Sequence, residues 1–576
     1  MRNHNSQGSL SVRVITGTRA VFLAIDIAPA GRAGLLGFAI GRVDATGHCT
    51  WLEGRKVFGS VVPDPAPEDS FPSNVHPIQS LIWSDLTARP GTTAAYRVQP
   101  MYGSPAAPEL GAGVDVAATT EDPATGTHGV YFNRGAIASQ AFADHFHNQP
   151  PEDENDPSDG EVVWLARGAL DAALDYIARA SSGDALRVAA YEFTYDVILK
   201  ALKAAAARGV DVRIVYEAGT EQDKKTKKQV LTSATKSAAA KIKALGLDTE
   251  ANLMLIRRTR RRKIPHNKFI VWISGGEAKE VLAGSANFTP SGFLGQTNVV
   301  HIVRDGGVAQ NYLDYWEQLA ADPTTPKLST WTQRKTPLAA LDTLTAGPGI
   351  TTFFSPRKNA DMLKWYAARI AGASDTVMFT AAFGVNQTLA DEFGKPKPFV
   401  RFVLLEDEPD ANLEEAMAAD PNVSAAYGSI LAKHAKSKKP FPLNDLDRWF
   451  LKEDLYRDDG FVFFIHTKFL MIDPLGPTPL LCTGSANFSS SSLTGNDENM
   501  LLIRGDTRVA DIYLTEFDRI FRHFQARQQI NRIAGEGGPL VDAKFLREDD
   551  SWLKGYVTPG RLKTNRQRLF FPDWPH

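Results

Sequence analysis

Apolar and polar positions alternate with a period of two through the first part of the chain. The alternating segments are Ser11 to Ile15, Val21 to Ile27, Leu35 to Val43, Cys49 to Val57, Ile78 to Leu86 and Ala94 to Met101, with turn residues between them. Such alternation places every second side chain on one face of an extended segment. It predicts an all-β sandwich of about seven strands over residues 1–125, with Trp83 and Tyr96 as packing aromatics.

From residue 126 the period changes. Trp164, Leu165, Leu170, Leu174 and Ile177 form a helical stripe within Val163 to Ala180. A strand follows at Ala185 to Phe193, a helix at Tyr195 to Arg208 and a strand at Val210 to Tyr216. The same order returns later: a helix at Leu363 to Ala371, a strand at Thr376 to Phe383, a short helix at Leu389 to Phe393 and a strand at Phe399 to Leu405. Strand–helix–strand alternation predicts α/β lobes with parallel neighbours. We therefore expect one lobe over residues 126–335, a second over 336–545, and a tail over 546–576 that packs back on the body. Val509 to Gln528 reads as a helix, with Ile512, Leu514, Phe517, Ile520 and Phe521 on its apolar face.

Composition narrows the class. With 43% hydrophobic and 23% charged residues and a net charge of −2, the chain is no polycation and has the balance of a globular protein. Cys49 and Cys482 form neither a disulfide framework nor a zinc-ligand cluster. Met1 to Gly17 lacks the apolar core of a signal peptide, and no run of eighteen apolar residues occurs. A cytoplasmic location is expected, and an integral membrane protein is excluded; peripheral contact with a membrane is not. Residues 149–161 are acidic and proline-bearing and predict a solvated loop, without the spacing of a calcium loop.

The candidate chemistry is duplicated. His266 and Lys268 precede Gly284-Ser285-Ala286-Asn287; His466 and Lys468 precede Gly484-Ser485-Ala486-Asn487. In both copies the Ser follows the His by nineteen residues, and the copies stand two hundred residues apart. Each His-x-Lys opens an apolar, strand-like run, and side chains at i and i+2 of a strand share a face. His and Lys of each copy therefore point into one pocket. Two such sets meeting would gather two imidazoles, two ammoniums and two amides around one point. That point suits a phosphate: the cations hold its oxygens, one His attacks phosphorus and the other protonates the leaving oxygen.

This pattern resembles the phospholipase D superfamily, whose signature is His-x-Lys, four residues, Asp, then Gly-Ser-x-Asn. The second copy fits, with Asp473 five residues after Lys468, and Asn496-Asp497-Glu498-Asn499 resembles the family's acidic element. The first copy departs: Ile273 stands in the place of Asp473, and Asn298 near that of Glu498. Phe132-Asn133-Arg134-Gly135 and Phe354-Ser355-Pro356-Arg357 are similar to flanking segments of the family. The likeness spans roughly residues 126 to 545. It implies two α/β lobes with mixed sheets about a pseudo-twofold axis, here preceded by a sandwich similar to fibronectin type III or immunoglobulin domains.

The resemblance implies a catalytic set of His266, Lys268, Asn287, His466, Lys468, Asp473, Asn487 and Glu498. His266 is assigned as nucleophile and His466 as acid/base. Asp473 and Glu498 are expected to orient a His and raise its basicity. Because both carboxylates lie in the second copy, His466 is expected at the higher pKa and His266 neutral. Ser285 and Ser485 are candidate substrate-binding residues, as are Arg260, Arg261 and Arg262 in the run Arg257-Arg258-Thr259-Arg260-Arg261-Arg262-Lys263. A further basic run holds Lys224, Lys225, Lys227 and Lys228, then Lys236, Lys241 and Lys243; in the second lobe the basic residues are Lys433, Lys436, Lys438 and Lys439. These clusters predict a positive rim for an anionic substrate, a nucleic-acid backbone or an anionic lipid surface.

No metal and no cofactor is called for, since the lysines supply positive charge. Flanking segments similar to bacterial phospholipase D-like proteins put phospholipid head-group hydrolysis through a phosphohistidine first. A nuclease acting on DNA or RNA is the alternative, favoured by the basic rim. A catalytically silent scaffold, with a protein partner on the N-terminal sandwich, is the third reading.

Overall fold

Two seven-stranded sheets with one strand order dominate the computed structural model. It describes residues 1–44, 46–66, 69–135, 140–147, 149, 151–223, 225–344, 347–428, 465–535 and 544–574. The first sheet runs His128–Phe132, Val299–Val303, Glu277–Gly284, Lys268–Ser274, Ala185–Ala190, Asp211–Glu217, Leu253–Arg258. The second runs Gly349–Ser355, Glu498–Arg504, Leu480–Gly484, Phe469–Ile472, Thr376–Ala381, Val400–Leu405, Val423–Tyr427. The first four neighbour contacts of each sheet are antiparallel and the last two parallel, so both sheets are mixed. Each His-bearing segment leads into a central strand, paired to the strand that precedes the first crossover helix.

Both sheets are buried on both faces, which is why Val299–Val303, Thr376–Ala381 and Val400–Leu405 are buried at every position. The outer face of each sheet has its own apolar cluster under its crossover helices. The inner faces share one cluster with two helices, Gly306–Ala320 and Thr507–Gly535, each of which follows the strand beside the tetrad strand of its lobe. The lobes are therefore held about their pseudo-twofold by a common core.

The N-terminal region forms two antiparallel sheets. One orders Arg2–Gln7, Leu10–Thr16, Val21–Ile27 and Ile82–Asp85. The other is built on the long strand Thr93–Ser104, which pairs with Gly37–Val43, Ala107–Leu110 and Val114–Thr119. Trp552, Leu553, Tyr556, Phe570, Phe571 and Trp574 enter the core between them.

Several local expectations change. The helix expected over 163–180 is two helices, Gly160–Ala166 and Ala169–Ala178, because Arg167 (φ 49°) and Gly168 (φ 87°) turn the chain out of register. That turn sends the Arg167 guanidinium to buried Glu516 at 2.7 Å. The strand expected over 49–57 is interrupted into Cys49–Trp51 and Glu53–Gly54. Trp83 is only partly buried, whereas Tyr96 is fully buried and donates its hydroxyl to Asp85 at 2.6 Å. Helices Ser233–Leu245, Gly306–Ala320, Thr325–Lys335 and Ala411–Ala419 are additional to those read from the sequence.

Candidate active site

The tetrads owe their glycines to strand crowding. A Cβ at Gly284 would overlap the carbonyl oxygen of Val299, and one at Gly484 that of Asn499. Glycine lets the neighbouring strand approach this closely, and the following Ser is then buried completely: Ser285 and Ser485 are both 0% exposed. Neither faces a substrate space. Ser285 Oγ donates to Asn298 Oδ1 at 2.7 Å, and Ser485 Oγ to Glu498 Oε2 at 2.7 Å. The expectation that these serines bind substrate is corrected: each orients the acceptor for a histidine.

Those acceptors serve the opposite lobe. His266 Nδ1–H donates to Glu498 Oε2 at 2.9 Å, with Oε1 at 3.1 Å. His466 Nδ1–H donates to Asn298 Oδ1 at 2.9 Å. The Asn298 amide is held in that sense because its Nδ2 donates to the Gly292 carbonyl at 2.8 Å. Both imidazoles are thereby fixed as the tautomer that carries its proton on Nδ1 and a lone pair on Nε2. This overturns the expected charge asymmetry. The carboxylate lies on His266, not His466, since the pseudo-twofold sets each tetrad lobe against the other lobe's histidine.

Asp473 leaves the site altogether. Its carboxylate accepts the backbone N–H groups of Ser374, Asp375 and Thr376 at 2.7–3.1 Å. It sits at the far end of the strand Phe469–Ile472, roughly 16 Å from Lys468 at about 3.3 Å per residue. Asp473 caps a turn and orients no histidine. The first lobe closes the corresponding turn from its other side, with Asp184 accepting Ser181 N–H at 2.9 Å, so Ile273 costs it nothing there.

Lys268 and Lys468 are 2% and 0% exposed, and each Nζ donates to the carbonyl of its own histidine, at 2.7 and 2.6 Å. Burial pushes the Lys268 ammonium down to about 8, against the pull of Glu498 and Glu192. Lys468 is also held low by burial and by Lys268. Burial and the two lysines hold both imidazoles well below the ordinary histidine range. Burial raises the Glu498 carboxyl to about 7, although Lys268, Lys468 and hydrogen bonds from Asn496 and Ser485 favour its ionised form. An anion entering this site would restore full charge to both lysines.

Asn287 and Asn487 complete the ring. Each has a buried Oδ1 with no hydrogen-bond partner among the described residues. Asn287 Nδ2 donates to Glu192 Oε2.

Glu192 and Tyr191 escaped the sequence reading. Both lie just past the strand Ala185–Ala190, whose last residue pairs with Lys268. The Tyr191 ring lies 5.3 Å from the His266 ring and 5.7 Å from Lys268 Nζ. Burial raises the Glu192 carboxyl, while Lys268, Asn287 and Lys468 lower it. The available signal was a lone carboxylate at the end of an apolar strand beside the His-x-Lys strand.

The basic run divides. Arg258 is buried on Asp497 and Asp322, and Arg261 is tied to the buried carboxylate of Glu217. Arg261 is thus a structural partner rather than a free rim charge, because Glu217 would otherwise be buried unpaired. Arg260 and Arg262 are exposed. Lys241 pairs with Asp196, and Lys225, Lys227 and Lys228 are exposed. Lys224, Lys433, Lys436, Lys438 and Lys439 lie outside the described residues. Among the described residues no group of three or more His, Cys, Asp or Glu is arranged to hold a metal ion. No helix among them is long and apolar enough to cross a membrane.

A family model described as a cardiolipin synthase, PLD-like domain, matches residues 174–320 and 441–521. No curated protein matches the chain. Among solved structures, phosphatidylserine synthase from Haemophilus influenzae Rd KW20 is 11% identical, with 66% of this chain and 94% of that chain covered, at a TM-score of 0.40. Nuc from Salmonella typhimurium, a phospholipase D family member, is 27% identical, with 26% of this chain and 86% of that chain covered, at a TM-score of 0.20. Polyphosphate kinase from Porphyromonas gingivalis is 10% identical at a TM-score of 0.36; 59% of this chain is covered, spanning 46% of the kinase. Overlaps this loose say nothing about substrate.

Proposed function

Because the chain belongs to the phospholipase D superfamily, we propose that it is a phosphodiesterase working through a phosphohistidine on His266. One observation carries this reading: His266 Nδ1–H is bonded to a buried carboxylate, Glu498, at 2.9 Å. That bond leaves Nε2 with its lone pair and stabilises the positive charge that the ring gains as it attacks.

The scheme runs as a double displacement. His266 Nε2 attacks phosphorus and the bond to the leaving alkoxide breaks; that oxygen takes the Nε2 proton of His466. His466 has to enter this step as the imidazolium, protonated at Nε2 as well as Nδ1, a state that the negative charge of the bound phosphodiester favours. Water then attacks the phosphohistidine. His466 Nε2 takes its proton, the N–P bond breaks and a phosphate monoester leaves. Lys268 and Lys468 hold the non-bridging oxygens, with the amides of Asn287 and Asn487 beside them. Head-group hydrolysis of a phospholipid and cleavage of a nucleic-acid strand both use this chemistry.

A silent scaffold is disfavoured. Two lysines and two histidines buried together cost several kcal/mol per uncompensated charge, which packing alone would not retain. The test is mass spectrometry of peptides after reaction with bis-p-nitrophenyl phosphate and an acid-free quench. An adduct on His266 that accumulates in His466→Asn is expected. An adduct on His466, formed normally in His266→Asn, reverses the roles; no turnover and no adduct with any phosphodiester removes the activity.

A further inference from the structure

A second cleft lies on the seam between the lobes. On one side is the segment Arg260 to Arg262, a few residues before His266; on the other are Lys358 and Thr494, and the helix Thr325–Lys335 presents its N-terminus. The cleft encloses about 520 Å³. It is joined to the reaction centre through short covalent and hydrogen-bonded links. Lys263 Nζ donates to Ser491 Oγ at 3.0 Å, and Arg357 N–H donates to the Leu493 carbonyl at 2.5 Å, in the short helix Ser490–Thr494 that follows Asn487.

Three features make this cleft unusual. First, its cations are not all spoken for. Arg261 is bound to Glu217, and Arg357 donates to the Thr332 and Thr336 carbonyls. Arg260, Arg262 and Lys358 are exposed on its wall, and no carboxylate is among the lining residues. Second, the helix begins at Thr324 without a side-chain cap and has proline in its first turn. The positive end of its dipole is therefore open. Third, two hydroxyls on the wall are buried and idle. Thr325 is 8% and Ser329 4% exposed, yet Thr325 Oγ1 and Ser329 Oγ have no hydrogen-bond partner among the described residues. Buried hydroxyls are normally paired, and leaving one unpaired costs about 1–3 kcal/mol. Exposed cations, an uncapped helix N-terminus and hydroxyls with unused hydrogen-bonding capacity on one wall are what a phosphate requires.

We propose that this cleft is a second phosphate-binding subsite, which takes an uncleaved phosphate of a nucleic-acid strand while a neighbouring phosphodiester sits between His266 and His466. The proposal rests on the reading of the His–Lys centre as a phosphodiesterase and names its substrate class. A strand carries a row of phosphates, so one polymer can fill both sites. A lipid surface presents its phosphates in one plane to exposed cations, whereas an extended strand can lay one phosphate in the cleft between the lobes and the next at the reaction centre. Helix N-termini and side-chain hydroxyls are common partners of the nucleic-acid backbone and fix its register without reading sequence.

The test uses the full chain carrying His266→Asn to prevent turnover, and a fluorescein-labelled single-stranded 12-nucleotide DNA. Thr325→Val with Ser329→Ala removes both hydroxyls at nearly constant shape, and the Kd is expected to rise at least tenfold. Lys358→Gln, an exposed change that does not threaten the fold, is expected to lower the log–log salt slope by about 0.7 for one lost contact on a single strand. The same changes in the His266-containing chain are assayed with bis-p-nitrophenyl phosphate, which has one phosphate and reports the reaction centre alone; its turnover is expected to persist. An unchanged oligonucleotide Kd and salt slope in both variants overturns the subsite. So does lost affinity for phosphatidylglycerol vesicles with oligonucleotide binding intact, which would transfer the cleft to a lipid. Failure of the parent chain to hydrolyse any phosphodiester would strike the activity instead, and the oligonucleotide Kd would still judge the cleft.

Discussion

Glu498→Gln separates the charge of the His266 partner from its geometry. The carboxylate accepts His266 Nδ1–H and Ser485 Oγ–H at Oε2, and the Asn496 amide at Oε1 at 2.9 Å. An amide with its oxygen toward His266 and Ser485 keeps two of these bonds, and Asn496 can turn its own oxygen to meet the new NH₂. The result copies the Asn298 arrangement on His466. What disappears is the negative charge beside the ring that becomes cationic. Two unit charges about 4 Å apart at an effective dielectric of about 20 attract by roughly 4 kcal/mol; the neutral hydrogen bond that remains keeps about 1 kcal/mol. The net loss of about 3 kcal/mol corresponds to a roughly hundredfold slower phosphorylation step. The burst of p-nitrophenolate from bis-p-nitrophenyl phosphate, followed by stopped flow, measures it directly, and KM is expected to move little. The pH profile supplies a second sign. Burial raises Glu498 to about 7, so as pH falls through about 7 the carboxylate gains a proton and stops accepting from His266. Wild-type activity should fall with it, as a property of the coupled pair; the variant should lack that limb. A burst slowed less than about fivefold, with the acid limb unchanged, would show that Glu498 only positions the ring.

Asp473→Ala should destabilise the chain by about 2–4 kcal/mol in denaturant titration, since it strands three backbone donors and leaves a non-glycine residue at φ 48°; kcat of the folded fraction should stay within about twofold, and a large kcat loss at unchanged stability would restore it to the catalytic set. Glu192 raises the pKa of both lysines, so Glu192→Gln should move the alkaline limb of the pH–rate profile to lower pH as Lys268 loses its proton sooner. A limb that stays put would detach Glu192 from the reaction. Dialysis against EDTA should leave turnover intact, because Lys268 and Lys468 supply the cations of the scheme; loss of activity restored by Mg²⁺ or Zn²⁺ would refute it.

What could be read from the sequence was what depends on near neighbours. His266 with Lys268 and the glycine-led tetrads follow from strand geometry and strand crowding, and their duplication points to two similar lobes. The partner of each histidine does not follow from near neighbours. Glu498 sits in the second copy and was assigned to His466, yet it reaches across the pseudo-twofold to His266, 232 positions away. Asp473 carried the family spacing, but a residue five positions along an extended strand cannot return to where that strand began. Arg261 looked like one more charge in a basic run; only the fold reveals the carboxylate buried beneath it. Glu192 was hidden because a strand of apolar residues predicts packing, and nothing local tells which strand end opens on the site.

The C-terminal segment has a consequence for how the chain comes to be folded. Trp552 Nε1–H donates to the Leu35 carbonyl at 2.8 Å, Gln567 Nε2–H to that of Ile25 at 2.5 Å, and the Phe570 ring lies 5.0 Å from that of Phe22. During synthesis the N-terminal strands leave the ribosome long before residues 552–570 are made. They must wait, with Phe22, Ile25 and Leu35 uncovered, through the making of both lobes. The sandwich is thus made before both lobes and completed only after them. An isolated N-terminal fragment would expose the apolar face that the C-terminal segment covers.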